Sequence, residues 1–275
     1  MNIIDTFKGV DGCFENGVFS KPGWERYMET YLPSAKKMVE ADVAEYHYET
    51  DILPVMNAAA DTEKQMRLHT SFLKVTESLA QKIKDALQVE IDADIVLYMG
   101  LCNGAGWATK IEEKPVVMLG MEKIIELDWM DEQSMIGLIY HELGHIWHKQ
   151  LRISDEKLTT QKEKTLWQLY AEGVAMYAEA LLTGRKRFFH QNKGDWLCWC
   201  DENRSRMFRE YVRLVQAGES TRHFFGDWLN IEGRSDVGYY LGEELVLEAV
   251  KTMPVEKVLN LSFDEIETLL LRLAA

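Results

Sequence analysis

Apolar residues recur at helical spacing along most of the chain and give way to alternation in one short region. Residues 22–48 carry a helical pattern that Pro33 divides in two, because proline cannot donate the hydrogen bond a helix interior requires. A long helix is expected over residues 58–87, with Met66, Leu73, Val75, Leu79, Ile83 and Leu87 as its buried stripe and His69 at the surface. The first twenty residues, with Gly9, Gly12 and Gly17 among polar positions, read as an irregular lead-in. At residue 89 the pattern changes. Residues 89–101 alternate and are rich in β-branched side chains, Asn103-Gly104-Ala105-Gly106 is a turn, and residues 115–120 suit a second strand. Residues 116–120 are either an edge strand open to an extended ligand or an ordinary core strand.

A helix follows, capped by Asp128 or Asp131 and ending near Leu151. Residues 153–164, rich in Lys and Thr, make an exposed connection. Helical segments are then expected near 165–183, 194–217, 221–229, 238–252 and 263–273, and no internal repeat is present. The pattern therefore predicts an α+β fold that is mostly α-helical. An N-terminal helical segment covers residues 1–88, a small sheet and its adjoining helix cover 89–152, and a C-terminal helical lobe covers 153–275, with a cleft expected between lobes.

The helix after the sheet carries Tyr140-His141-Glu142-Leu143-Gly144-His145-Ile146-Trp147-His148, which contains His-Glu-x-x-His. One turn apart on the same side, His141 and His145 can both bind one metal ion at about 2.0–2.1 Å. Glu142, rotated by about 100°, can lie beside a water on that metal and take its proton. On a helical wheel Met135, Ile136, Ile139, Tyr140, Leu143, Ile146 and Trp147 gather opposite the histidines, so one face is core and the other presents His141, His145 and His148. His148 stands two turns, about 10 Å, from His141 and cannot join the other two on one ion, so it is a contact of the site or a solvated residue.

A catalytic zinc usually takes a third protein ligand and keeps a fourth position for water. Leu151 stands where the metzincin pattern has its third histidine. The next helix offers Glu172 among Ala171, Gly173 and Ala175, small residues that allow close helix approach. Glu179 on the same polar face is the rival ligand or a partner to a histidine, and the whole face could also simply be wet. Glu142-x-x-His145 also matches half of a di-iron carboxylate pattern, but no other histidine has Glu three residues before it.

HELGH followed by Ala171-Glu172-Gly173-Val174-Ala175-Met176-Tyr177 resembles the gluzincin group of zinc peptidases, and with Gly238-Tyr239-Tyr240-Leu241-Gly242 it is similar to bacterial predicted zinc-dependent proteases. The resemblance covers residues 90–250 loosely and is specific only at those three motifs. It implies a zincin-like fold, one Zn2+ per chain held by His141, His145 and Glu172, and Glu142 as general base. Relatives tend to have Arg where this chain has His148. The developing oxyanion also needs a donor. Tyr239 and Tyr240 match the Gly-Tyr motif, and Arg234 and His223 lie near them in sequence; adjacent tyrosines diverge on a helix, so at most one faces the cleft and the other is core, and Tyr239 is the preferred one.

The expected activity is a zinc metallopeptidase acting on a peptide or protein substrate. The alternative is a zinc-binding regulatory or peptide-binding protein with little hydrolysis. A formal charge of −14 repels phosphate backbones and anionic lipid, so neither nucleic acid nor membrane is an expected partner. The amino terminus lacks a basic start and apolar run, no segment reaches membrane-span length, and Cys13, Cys102, Cys198 and Cys200 form no Cys-x-x-Cys pair, which together predict a cytoplasmic protein with reduced thiols.

Overall fold

The structure, a computed structural model, describes residues 1–153, 157–226 and 230–275. The fold is α+β and mostly helical, with a small mixed sheet in the N-terminal part and a helical C-terminal region. Contacts divide the chain into two compact units, residues 1–143 and 144–275.

The first unit is built on a sheet of β1 (Ile3–Asp5), β4 (Asp94–Tyr98), β6 (Lys114–Gly120) and β5 (Gly106–Ile111), in that order. β1 and β6 run parallel to β4, and β5 is antiparallel to β6. Every residue of β4 is buried, as expected for an interior strand covered on both faces. β1 lies within the predicted irregular lead-in. Three residues are too few for alternation to register, and the parallel pairing of Ile3 with Ile95 holds them in place. Residues 116–120 are flanked by β4 and β5, so the core reading of that strand holds and the edge belongs to β5. A two-residue turn, Glu112-Glu113, joins β5 to β6 with positive φ at both positions, as a type I′ hairpin needs. A small hairpin, β2 (Phe14–Glu15) with β3 (Val18–Phe19), precedes the first helices.

Pro33 does divide the first helical stretch, into α1 (Lys21–Tyr31) and α2 (Pro33–Asp42), where the proline occupies the first turn. After α3 (Leu53–Ala58), the predicted long helix is two: α4 (Thr62–Thr76), capped by Asp61, and α5 (Leu79–Leu87). The break corrects the predicted stripe. Met66 and Leu73 are 54% and 49% exposed, while Leu68, Phe72 and Val75, at i, i+4 and i+7, form the face that α4 buries. His69 is not a bare surface residue, since its Nε2 lies 2.7 Å from Asp5 Oδ2 and its ring stacks on Phe7. The short α6 (Met121–Glu126) leads to α7 (Glu132–Leu151). Asp131 caps α7 by accepting from the N–H groups of Gln133 and Ser134 at 2.9 and 3.0 Å, whereas Asp128 is in the left-handed region.

In the second unit α8 (Gln161–Thr183) begins with a capping box of Thr160 and Glu163. It is followed by α9 (Trp196–Ala217), α10 (Val237–Val250), α11 (Val255–Val258) and α12 (Phe263–Ala274). Around the predicted helix at 221–229 there is only a 3-10 turn, Arg222–Phe224, and residues 227–229 of that prediction lie outside the described residues. α8 and α10 are in backbone contact, because a Cβ on Gly242 would stand 2.6 Å from the Leu169 carbonyl oxygen and 2.8 Å from the Gly173 nitrogen.

Candidate metal centre

α7 is buried almost all round. Met135, Ile139, Tyr140, Leu143, Ile146 and Trp147 are core, as the helical wheel requires, but the opposite face is shielded too: His141 is 4%, Glu142 8% and His148 3% exposed. His141 and His148 are therefore not solvated surface groups, while the His145 side chain is 25% exposed. Where α7 meets α8 the helices are close, since a Cβ on Gly144 would stand 2.8 Å from Ala175 Cα and 2.9 Å from Ala178 Cβ. The small residues around Glu172 therefore permit the approach that the sequence suggested, and its short side chain spans the remaining gap. Nε2 of His145 and Oε2 of Glu172 are 3.3 Å apart.

One ligand atom from each of His141, His145 and Glu172 lies within 4.8 Å of the others. Two ligands held at about 2.0–2.1 Å in a tetrahedral site stand about 3.4 Å apart, so the His145–Glu172 separation is already that of a common ion. Two imidazoles and one carboxylate are a donor set suited to zinc, and three protein ligands leave one position open. These three residues form a possible metal site.

Comparison of the chain with known protein families, curated proteins and solved structures found no match. The likeness to gluzincins thus rests on HELGH and on the carboxylate that joins it.

Glu142 lies beside β5. Its Oε2 accepts the backbone N–H of Ala108 at 2.9 Å. Gly106, two residues earlier on the same strand, has no room for a side chain, because a Cβ would stand 2.5 Å from Glu142 Oε1 and 2.8 Å from Leu138 Cδ1. Sequence reasoning passed over both residues. Ala108 acts through its backbone, which leaves no side-chain signature, and Gly106 had been read as a turn glycine, although its identity is set by the packing against Glu142.

His148 is part of the core and touches Trp167 by stacking and Tyr170 edge-on, with ring centroids 5.5 and 5.0 Å away. Burial pushes its pKa down to about 3, with the charges of Arg152 and His145 adding in the same direction and a hydrogen bond to the Leu259 carbonyl opposing. It is therefore neutral in the folded protein near pH 7. Arg152, one turn on, lies over Trp167 and donates to the Leu261 carbonyl at 3.2 Å, so this end of α7 is tied to the α11–α12 connection.

Tyr240 is 1% exposed and donates its hydroxyl to Asp201 at 2.9 Å. Tyr239 is half-buried with its ring edge-on to Phe225. Arg234 is paired with Asp195 and His223 packs on Phe224. Glu179 has no exposure, and its Oε2 lies 3.0 Å from the ring Nδ1 of His190. Tyr211 of α9 supports α8 by donating to the Thr165 carbonyl at 2.9 Å, and burial, with the Glu172 charge adding to it, holds its hydroxyl firmly protonated. Its position was not legible because it lies on another helix, far along the chain from both HELGH and Glu172. No helix among the described residues is long and apolar enough to cross a membrane.

Proposed function

We propose that the protein is a zinc-dependent peptidase in which His141, His145 and Glu172 hold the metal and Glu142 is the general base. The observation that carries this reading is the convergence of a Glu from α8 on the two histidines of HELGH, with their ligand atoms within 4.8 Å. When bound, zinc would lower the pKa of a coordinated water to about 7 and polarise a carbonyl. The protein's own groups supply the rest. The Ala108 N–H holds Glu142 by Oε2, so the carboxylate keeps one orientation while it takes a proton from the attacking water and passes it to the leaving amine.

β5 is suited to hold an extended substrate. Ala105 C=O accepts from Gly120 N–H, which sets the ladder so that Gly106, Ala108 and Lys110 turn their N–H and C=O groups away from β6. A peptide added along that edge runs beside Glu142. Tyr239, half-buried where Tyr240 is 1% exposed, is the tyrosine we assign to the oxyanion. A peptide or protein is accordingly the substrate class.

Metal analysis with a peptide-library cleavage assay tests the proposal. The expected result is one zinc per chain, cleavage by the wild type, and loss of cleavage with zinc retained in Glu142→Gln. Undiminished cleavage by Glu142→Gln sinks the base assignment. Bound zinc with no cleavage by either form favours a zinc-dependent binding protein.

A further inference from the structure

Among the described residues of the second unit, two carboxylates have no exposure at all, Glu179 on α8 and Glu243 on α10. The helices that carry them are in backbone contact at Gly173 and Gly242, so no solvent layer separates the two elements there. Glu179 has partners. Its Oε1 accepts the backbone N–H of His190 at 3.2 Å, and its Oε2 lies 3.0 Å from the His190 ring Nδ1. Glu243 is different, since neither of its oxygens has a hydrogen-bond partner among the described residues. An ionised carboxylate in that condition costs several kcal/mol, so some neutralising agent is required.

The neighbouring cations are committed elsewhere. From the α8–α9 connection Arg187 acts on Glu243, but its guanidinium is bound to Asp201 of α9, and His190 is taken by Glu179. On α10 itself Glu244 adds a like charge, and Arg204 of α9 is paired with that residue. Among the described residues no charge from α11, α12 or the Arg222–Phe224 turn acts on Glu243. Gln191, next to His190 in the chain, is also buried, and its Oε1 lacks a donor among the described residues. Its amide nitrogen lies against Met176, one turn before Glu179 on α8. Both Glu243 oxygens and Gln191 Oε1 are thus buried acceptors without a donor among the described residues. A neutral carboxylic acid supplies one O–H donor where the ionised form supplies none.

We propose that Glu243 carries a proton in the folded protein at neutral pH, so that α8 and α10 close over a neutral acid beside the Glu179–His190 pair, and that this joint weakens as the solution becomes alkaline. Burial, with the Glu179 charge adding to it, pushes the Glu243 carboxyl up to about 8. In the unfolded chain the same group loses its proton near pH 4.3. Between those values the folded state holds one more proton than the unfolded state. The contribution to stability is therefore complete below about pH 4, declines as pH rises through the window, and is lost above about pH 8.

Difference infrared spectroscopy of the intact protein reads the proton directly. The expected result is a protonated-carboxyl C=O band at pH 7 that is absent from Glu243→Gln and titrates away towards pH 9 in the wild type. The absence of any Glu243-dependent band at pH 7 overturns the proposal. Denaturant unfolding gives a second reading, because Gln mimics the neutral acid but cannot ionise. The unfolding constant of the wild type relative to Glu243→Gln rises about tenfold per pH unit between about pH 5 and 8. A ratio that stays constant over that range overturns the proposal. So does a divalent cation bound by the wild type and lost from Glu243→Gln with His141, His145 and Glu172 intact. In Glu179→Gln the band titrates away at lower pH. Neither reading depends on zinc or on peptide cleavage.

Discussion

Replacing Gly144 by Ala puts one methyl group where α7 and α8 touch. The new Cβ would stand 2.8 Å from Ala175 Cα, 2.9 Å from Ala178 Cβ and 3.0 Å from the Ala175 carbonyl oxygen. Two of those atoms are backbone, so rotamer changes do not relieve the overlap, and the helices must separate by about 0.5 Å to bring those contacts to ~3.3–3.5 Å. Two terms oppose. Ala in place of a helix-interior Gly is worth about 1 kcal/mol in favour of the helix, and overpacking against a rigid neighbour costs about 1–3 kcal/mol. The metal-free protein should therefore change from about neutral to ~2 kcal/mol less stable.

The larger effect falls on metal affinity. Nε2 of His145 and Oε2 of Glu172 are 3.3 Å apart. A separation of about 3.8 Å would require an angle near ~130° at a zinc that binds both at about 2.1 Å, well outside tetrahedral. A loss of about 10- to 100-fold in affinity is expected, comparable to removing a supporting partner of a metal ligand. Chelator competition measures the affinity, and denaturant midpoints of the metal-free protein measure the stability. A Gly144→Ala protein that gains the full helix increment and binds zinc as tightly as the wild type would refute the close packing of α7 on α8.

Glu172→Ala should bind zinc far more weakly than the wild type in the same chelator assay, and full zinc content would remove Glu172 from the ligand set. Asp131→Ala should lower stability by about 1 kcal/mol through loss of the α7 cap, read as a shift in denaturant midpoint at unchanged slope. Gly106→Ala should leave His141, His145 and Glu172 in place and reduce any peptidase turnover more than any zinc content, because the methyl displaces Glu142. His148 imposes a pH dependence of the opposite sense to that of Glu243. Its folded pKa of about 3 lies below the ordinary histidine value, so its contribution is complete above about pH 6.5 and is lost as pH falls towards 3. Acid unfolding of metal-free His148→Phe should begin at lower pH than that of the wild type, and coincident acid transitions would refute the buried neutral state.

The elements legible in the sequence were those whose determinants are local. Pro33, the Asp131 cap and the 3.6-residue spacing of α7, α8, α9, α10 and α12 sit within a few residues of what they specify. HELGH was legible for the same reason, and Glu172 because the small residues beside it announce close helix packing. The missed features depend on distant partners. β1 exists through its pairing with β4, ninety residues on. β5 went unrecognised because its turn is Glu112-Glu113, with no Asn-Gly signal to mark the positive φ of a type I′ turn. The α4–α5 break lacks both Gly and Pro, so Met66 and Leu73 were assigned to a stripe that one continuous helix would have buried.

The hydrogen bond from Ala108 to Glu142 limits how firmly β5 could grip a guest chain. Of the three residues that face outward on that strand, the central one has already given its N–H to the carboxylate. An incoming backbone carbonyl opposite Ala108 would find no donor there, leaving the Ala108 carbonyl and the groups of Gly106 and Lys110 to form the ladder. Main-chain pairing at the point nearest the base is thus reduced by one bond. Tight, sequence-blind capture of extended peptides is not what such an edge is built to do.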